Sequence, residues 1–208
     1  MMKSLYLTLL LGIFLGGLVL HPGRAHAISL SFVPAAPAVT VGDAFTMALE
    51  VSGLGSATSP SLSTFDLDVL FNPQLLAVTN VTFGDPVSGD QLDLAGLGSL
   101  TSMTPGGGSL NLFELSFDDA LTLDTVQAGS FTLATVTFDT LSAGTSAFGL
   151  SINALGDAEG NTLTAQVLSE SVIVTAAPTP TPEPGTLLLL GSGLVGILGY
   201  GWRKQQTV

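Results

Sequence analysis

Between residues 28 and 182 this 208-residue chain contains no lysine, arginine, histidine, tyrosine, tryptophan or cysteine. All four basic residues (Lys3, Arg24, Arg203, Lys204), both histidines (His21, His26), both tyrosines (Tyr6, Tyr200) and the single Trp202 lie toward the two ends. The body therefore carries 15 of the 16 acidic residues, from Asp43 to Glu170, and no base to pair with them, a formal charge of −15. Without Lys or Arg it has nothing to neutralise phosphates, so nucleic acid and anionic lipid are excluded as direct partners unless cations bridge them. Cationic partners and divalent ions remain. Catalysis is restricted as severely: no His or Lys activates a serine, there is no thiol nucleophile, and no Tyr or Arg stabilises developing charge. A pair of carboxylates is enough for glycoside hydrolysis, but sugar subsites want aromatic platforms and the body offers only phenylalanines. We expect no enzyme, with no catalytic residues and no cofactor. The lack of cysteine removes the disulfide option, so stability has to come from packing.

The residues missing from the body are concentrated where addresses are written. "MMKSLYLTLLLGIFLGGLVLHPGRAHA" places Lys3 before an apolar run from Leu5 to Leu20 and then Ala25-His26-Ala27, the pattern of a signal peptide cleaved by signal peptidase after Ala27. At the other end, residues 186–202 are 17 residues without a charge, about 26 Å of helix at 1.5 Å per residue, the lower limit for crossing a hydrocarbon core. Arg203 and Lys204 follow, with Tyr200 and Trp202 at the position of an interfacial aromatic belt, so this end is expected in the cytoplasm and the body outside. "TAAPTPTPEPG" before it is an extended Pro/Thr linker.

Pro182-Glu183-Pro184, then a glycine-containing hydrophobic span, then the basic pair Arg203 and Lys204 near the C-terminus, resembles the PEP-CTERM sorting signal. The resemblance covers roughly the last 27 residues. It implies a Gram-negative, exopolysaccharide-producing host, recognition of Pro182, Glu183 and Pro184 by a membrane-embedded exosortase, and removal of the helix after a transient stay in the inner membrane. Prolines hold such a segment extended and free of internal hydrogen bonds, a form that a protease binds readily.

Between the ends the hydrophobic period is two. In "STFDLDVLF", Phe65, Leu67, Val69 and Phe71 alternate with Asp66, Asp68 and Leu70, and "AFTMALEV" places Phe45, Met47, Leu49 and Val51 on one face. "LLAVTNVTF", "LNLFELSF", "FTLATVTFDTL", "TSAFGLSINAL", "TLTAQV" and "SESVIVT" behave alike, bounded by Gly, Asp, Asn or Pro. Eight or nine short strands and no helical pattern predict an all-β sandwich. Residues 84–109 break the rhythm with seven glycines; they read as a flexible surface loop with one short strand around Gln91 to Leu94. Val41-Gly42-Asp43, the Phe65-Asp66-Leu67 strand running to Asn72-Pro73, and the Gly156-Asp157 turn before Gly160-Asn161 are similar to a cohesin-like domain, a jelly-roll sandwich related to some carbohydrate-binding modules. That resemblance implies a binding role through a sheet face. The chain departs from sugar-binding relatives in lacking Trp and Tyr, and no binding residue carries over from the family.

The expected organisation is a signal peptide (1–27), a cohesin-like sandwich (28–175), a linker with the Pro-Glu-Pro motif (176–185), a transmembrane helix (186–202) and a basic cytoplasmic tail (203–208). If a metal binds the sandwich, calcium at Asp157, Glu159 and Asn161 is the candidate, since these oxygen ligands alternate in "GDAEGNTL"; a tight turn joining two strands accounts for the same letters and is preferred. Asp118, Asp119 and Asp124, like Asp85, Asp90 and Asp93, read as solvated loop charges. The expected function is a non-enzymatic surface or matrix protein with a structural, adhesive or binding role in an exopolysaccharide layer, its partners being that polysaccharide or another surface protein. A carbohydrate-binding module is the alternative.

Overall fold

The computed structural model describes residues 27–178 and 185–205. Eleven strands are present: β1 (Ile28–Pro34), β2 (Ala38–Thr40), β3 (Ala44–Ser52), β4 (Thr64–Leu70), β5 (Leu76–Phe83), β6 (Ser99–Pro105), β7 (Ser109–Ser116), β8 (Ser130–Thr140), β9 (Gly144–Gly156), β10 (Ala165–Leu168) and β11 (Glu170–Thr175). A short helix α1 (Ala120–Val126) precedes β8, and α2 (Thr186–Gln205) forms a separate C-terminal unit. The strands make two sheets, ordered β10-β1-β3-β8-β5 and β2-β11-β9-β4-β7-β6.

Period-two sequence becomes period-two burial. β3 buries Phe45, Met47, Leu49 and Val51 and turns the intervening side chains outward, and β4 does the same with Phe65, Leu67 and Val69. The inward faces meet in one core around Phe138, whose ring lies 5.6 Å from Phe45, 5.2 Å from Phe71 and 5.4 Å from Phe148. These centroid separations lie in the range where aromatic pairs add to simple area burial. The N-terminal strands are tied to the C-terminal ones in both layers, β1 pairing parallel with β10 and β2 parallel with β11.

The all-β sandwich expected from the sequence is present, with more strands than eight or nine. The strands beyond the expected segments are β1, β2 and β6; β2 is only three residues long, too short for a period to register, while β10 falls within the expected "TLTAQV". The expectation of no helix is corrected by α1. Asp119 caps it, its side chain accepting from Thr122 N at 2.8 Å, the usual way an aspartate satisfies a free first-turn amide.

Residues 84–98 are not a loose loop, and Gln91 to Leu94 is turn rather than strand; the strand of this segment is β6. Leu92 is fully buried in the core, its carbonyl accepting from Ser116 Oγ at 2.6 Å. Gln127 Nε2 donates to the carbonyls of Leu62 at 2.8 Å and Gln91 at 3.0 Å, tying α1 to both neighbours. The glycines here serve conformation, with Gly84, Gly89, Gly96 and Gly98 all at positive φ, where other residues are strained.

In the C-terminal unit a helix forms where the span was expected and continues through Arg203 and Lys204. No helix among the described residues is long and apolar enough to cross a membrane; Gly191, Gly193, Gly196, Gly199 and Gly201 dilute its apolar content. The signal peptide lies outside the described residues.

Leu92→Ala should lower unfolding stability by about 2–5 kcal/mol through the cavity it leaves. Leu97→Ala, at a residue 63% exposed in the same segment, should change it by under about 0.5 kcal/mol. Urea unfolding of both variants checks this.

Candidate functional site

The two outer faces of the sandwich differ in chemistry. On the five-stranded sheet the outward positions of β1, β3 and β8 carry Ser31, Thr46, Ser52, Thr135 and Thr137 together with the acids Glu50 and Asp139, a hydroxyl-rich surface that follows from the alternation. On the six-stranded sheet the outward positions of β4, β7 and β9 bring two carboxylates and two amides together. Asp68 lies opposite Asn111 on β7 and Ser151 on β9, and Asp66 lies opposite Phe113 and Ala154. A register shift between Asp66 and Leu67 leaves Asn153 without a cross-strand partner. That bulge turns the Asn153 amide back over β4, re-aiming one side chain as bulges do.

Asn111 Nδ2 donates to Asp66 Oδ1 at 2.7 Å and to Asp68 Oδ1 at 3.0 Å. From the other side Asn153 Nδ2 donates to Asp66 Oδ1 at 3.2 Å and to Asp68 Oδ2 at 2.9 Å. The amides of Asn153 and Asn111 hold the Asp68 carboxyl below its usual value. Two like charges two residues apart on one face would repel, and donors on both sides make the arrangement tolerable. Around this centre Leu70, Leu100 and Ile173 are 44–52% exposed, and Phe113 and Leu115 are half-buried. The face is thus a fixed pattern of acceptors in an apolar surround, able to meet donors or positive charge from a partner.

The expected site residues fall elsewhere. Both oxygens of Asp157 accept from Asn161, Oδ1 from its backbone N at 2.6 Å and Oδ2 from its Nδ2 at 2.9 Å, closing the turn after β9. Glu159 points to solvent; a hydrogen bond shared with Asp124 raises its pKa. The structure joins Asp157 to Asn161 and sets Glu159 beside Asp124, with the Asp157 charge also acting on Glu159. Among the described residues no group of three or more His, Cys, Asp or Glu side chains is placed to hold a metal ion. Pro182, Glu183 and Pro184 lie outside the described residues, and Arg203 and Lys204 fall in the last turns of α2. β1 begins at Ile28, the residue after the expected cleavage at Ala27.

Sequence reasoning did not single out the Asp66, Asp68, Asn111 and Asn153 cluster, nor Glu114, which is completely buried on β7. It also took Asp118 for a solvated charge, whereas Asp118 is buried and its Oδ2 accepts from Leu94 N at 2.6 Å and Ala95 N at 3.1 Å. The available signal was an acid at a core-face position of an alternating strand, in the series Leu110, Leu112, Glu114, Ser116.

Comparison with known proteins bears on both units. The PEP-CTERM protein-sorting motif matches residues 180–205. The tail is a PEP-CTERM sorting motif. Such a signal marks an exported protein. No curated protein matches the chain in sequence. Among solved structures, the chain is similar to a non-cellulosomal cohesin from the archaeon Archaeoglobus fulgidus, with 14% identity and a TM-score of 0.53 over 72% of this chain and 91% of that one. It is also similar to chains of two type I cohesin–dockerin complexes from Clostridium thermocellum. The OlpC complex matches at 12% identity and TM-score 0.56 over 76% of this chain and 100% of that one. The OlpA complex matches at 13% identity and TM-score 0.55 over 71% and 99%. The sandwich therefore has a cohesin-like fold, and at these identities the likeness is one of fold alone.

Asn153→Ala should raise the Asp68 pKa toward the ordinary carboxylate value while leaving the fold intact. A carboxyl-carbon NMR titration of wild type and variant reads the shift.

Proposed function

We propose that this chain is an exported, non-catalytic binding module of the cell surface or extracellular matrix, docking a protein partner through the outer face of β4, β7 and β9. The observation that carries this reading is the Asp66, Asp68, Asn111 and Asn153 network in its partly apolar surround. It presents oriented acceptors on a flat sheet, with exposed Leu70, Leu100 and Ile173 supplying surface to bury. Interfaces gain from this combination of apolar contact and fixed polar groups. Sugar binding has less support: among the described residues the one exposed aromatic ring is Phe117, on a connection rather than on a sheet face. The sorting motif supports export, and a structural or adhesive role in an exopolysaccharide layer is the reading we adopt.

In this proposal the C-terminal unit is a short-lived inner-membrane anchor that an exosortase removes at Pro182, Glu183 and Pro184. Leu188, Leu189, Leu190, Leu194, Val195 and Ile197 of α2 are all exposed, as they would be in a helix meant for lipid.

Two measurements test these readings separately. Deleting residues 182–184 should hold the protein in the membrane fraction, and unchanged release would overturn the sorting role. Replacing Asp66 and Asp68 together by Ala should reduce retention of the exported protein in isolated matrix about tenfold or more. Retention equal to wild type would overturn the sheet face as the docking surface.

A further inference from the structure

The acid that sequence reasoning passed over is the most demanding group in the domain. Glu114 is 0% exposed. Its Oε1 accepts from Ser99 Oγ at 2.5 Å, while its Oε2, also buried, has no partner. Against it stands the carboxyl of Asp90, close enough for a hydrogen bond between the two side chains, with the charge of Asp93 nearby. A fully buried carboxylate beside the carboxyl of a half-buried Asp90 is costly to ionise without a cation, and residues 28–182 contain no Lys, Arg or His. One proton between them resolves both problems, because a protonated Oε2 becomes a donor to Asp90 and the unpartnered atom acquires its partner.

We propose that Glu114 and Asp90 share one proton, and that this proton latches residues 84–98 onto the end of the sandwich. Asp90 leads directly into the buried Leu92: its Oδ1 accepts from Leu92 N at 2.8 Å. Beyond the plug the loop is held by Asp118 at Leu94 and Ala95, and Asp93 Oδ1 closes it by accepting from Gly98 N at 2.7 Å. Asp90 has little room to withdraw along the chain, since a Cβ added at Gly84 would come within 2.7 Å of the Asp90 Cα. Loss of the proton therefore sets Glu114 against Asp90, and relief comes by lifting the loop with Leu92.

The groups that act on Glu114 are few. From the loop they are Asp90 and Asp93, from β6 the neutral Ser99, and from β4 the Thr64 hydroxyl, which donates to the Glu114 backbone carbonyl at 2.8 Å. Burial first, and then Asp90, push the Glu114 carboxyl up to about 8, against the opposing hydrogen bond from Ser99. The sign follows. A carboxyl whose folded value is raised binds more protons folded than unfolded between its ordinary value and the raised one, so stability falls as pH rises through that window. The latch is held most firmly at and below the ordinary carboxylate range and least firmly above about pH 8.

The test uses the full-length protein in mild detergent, with hydrogen exchange at Leu92, Leu94 and Ala95 expressed as protection factors so that intrinsic pH dependence is removed. In wild type, protection at these amides should fall about tenfold or more between pH 6 and pH 9. In Glu114→Gln it should stay within about twofold, and in Asp90→Asn the fall should move to higher pH relative to an unpaired glutamate but lower than in wild type. An equal fall in wild type and Glu114→Gln, or no fall in wild type, overturns the latch. Full recovery of wild-type protection at pH 9 on adding calcium also overturns it, because the pocket would then hold a metal ion in place of a proton.

Discussion

A domain with 15 carboxylates and no base has to satisfy every acid with a neutral donor, water or a proton, and the architecture follows from that constraint. Asp85 accepts from Val87 N and Ser88 N, Asp90 from Leu92 N, Asp93 from Gly98 N, Asp118 from Leu94 N and Ala95 N, Asp119 from Thr122 N and Asp157 from Asn161 N. Each of these acids sits in a connection; Asp118 ties down the 84–98 loop from a distance, and the others close a local turn or cap a helix. The acids thus take over the fastening work that disulfides and ion pairs do in other exported domains. On the strands, where backbone amides are committed to the ladder, the donors are side chains instead: the Asn111 and Asn153 amides for Asp66 and Asp68, and the Ser99 hydroxyl for Glu114.

The same constraint divides the molecule by face. Apolar alternation places Phe45, Phe138 and Phe148 inside, where rings pack against rings, and leaves the outer positions to choose their own chemistry. The five-stranded sheet carries mostly hydroxyls there, with Glu50 and Asp139 set apart among them; Ser29 Oγ and Ser52 Oγ bond one another across strands at 2.7 Å. The six-stranded sheet spends two of its outer positions on aspartate and needs the β9 bulge at Asn153 to hold them. A device that costs ladder regularity to orient two acids is better understood as a presented surface than as solubilising charge.

Much of the fold was legible because periodicity is a local signal. The strands containing Phe45, Phe65 and Phe131 could each be read from their own letters, and the cohesin-like arrangement from the turns that separate them. What escaped was non-local. Leu92 looked like one more leucine among glycines, since only the closed loop shows that its side chain fills the core. Glu114 looked like a strand acid, because nothing nearby in sequence announces Asp90 as its neighbour. The Asp66 and Asp68 pair was visible as alternation, yet its amide partners come from β7 and β9, and Asn153 reaches it only through a register shift. α1 was hidden by the alternation of leucine and threonine in Ala120–Val126, which satisfies a strand pattern as well as a helix; the Asp119 cap was the missed cue.

The tail and the body are complementary in chemistry. Arg203 and Lys204 stand beyond Pro182, Glu183 and Pro184, and Lys3 and Arg24 before Ala27, so the proposed processing at both ends removes all positive charge with the addresses. A lysine retained near the Asp66 and Asp68 pair would satisfy those acceptors internally and quiet the surface that the amides keep open. A basic residue beside Glu114 would fix its ionised form and abolish the shared proton. The absence of bases from the mature stretch is therefore a condition for both features: acceptors on one face remain available to a partner, and a buried acid at the end of the same sheet remains answerable to pH.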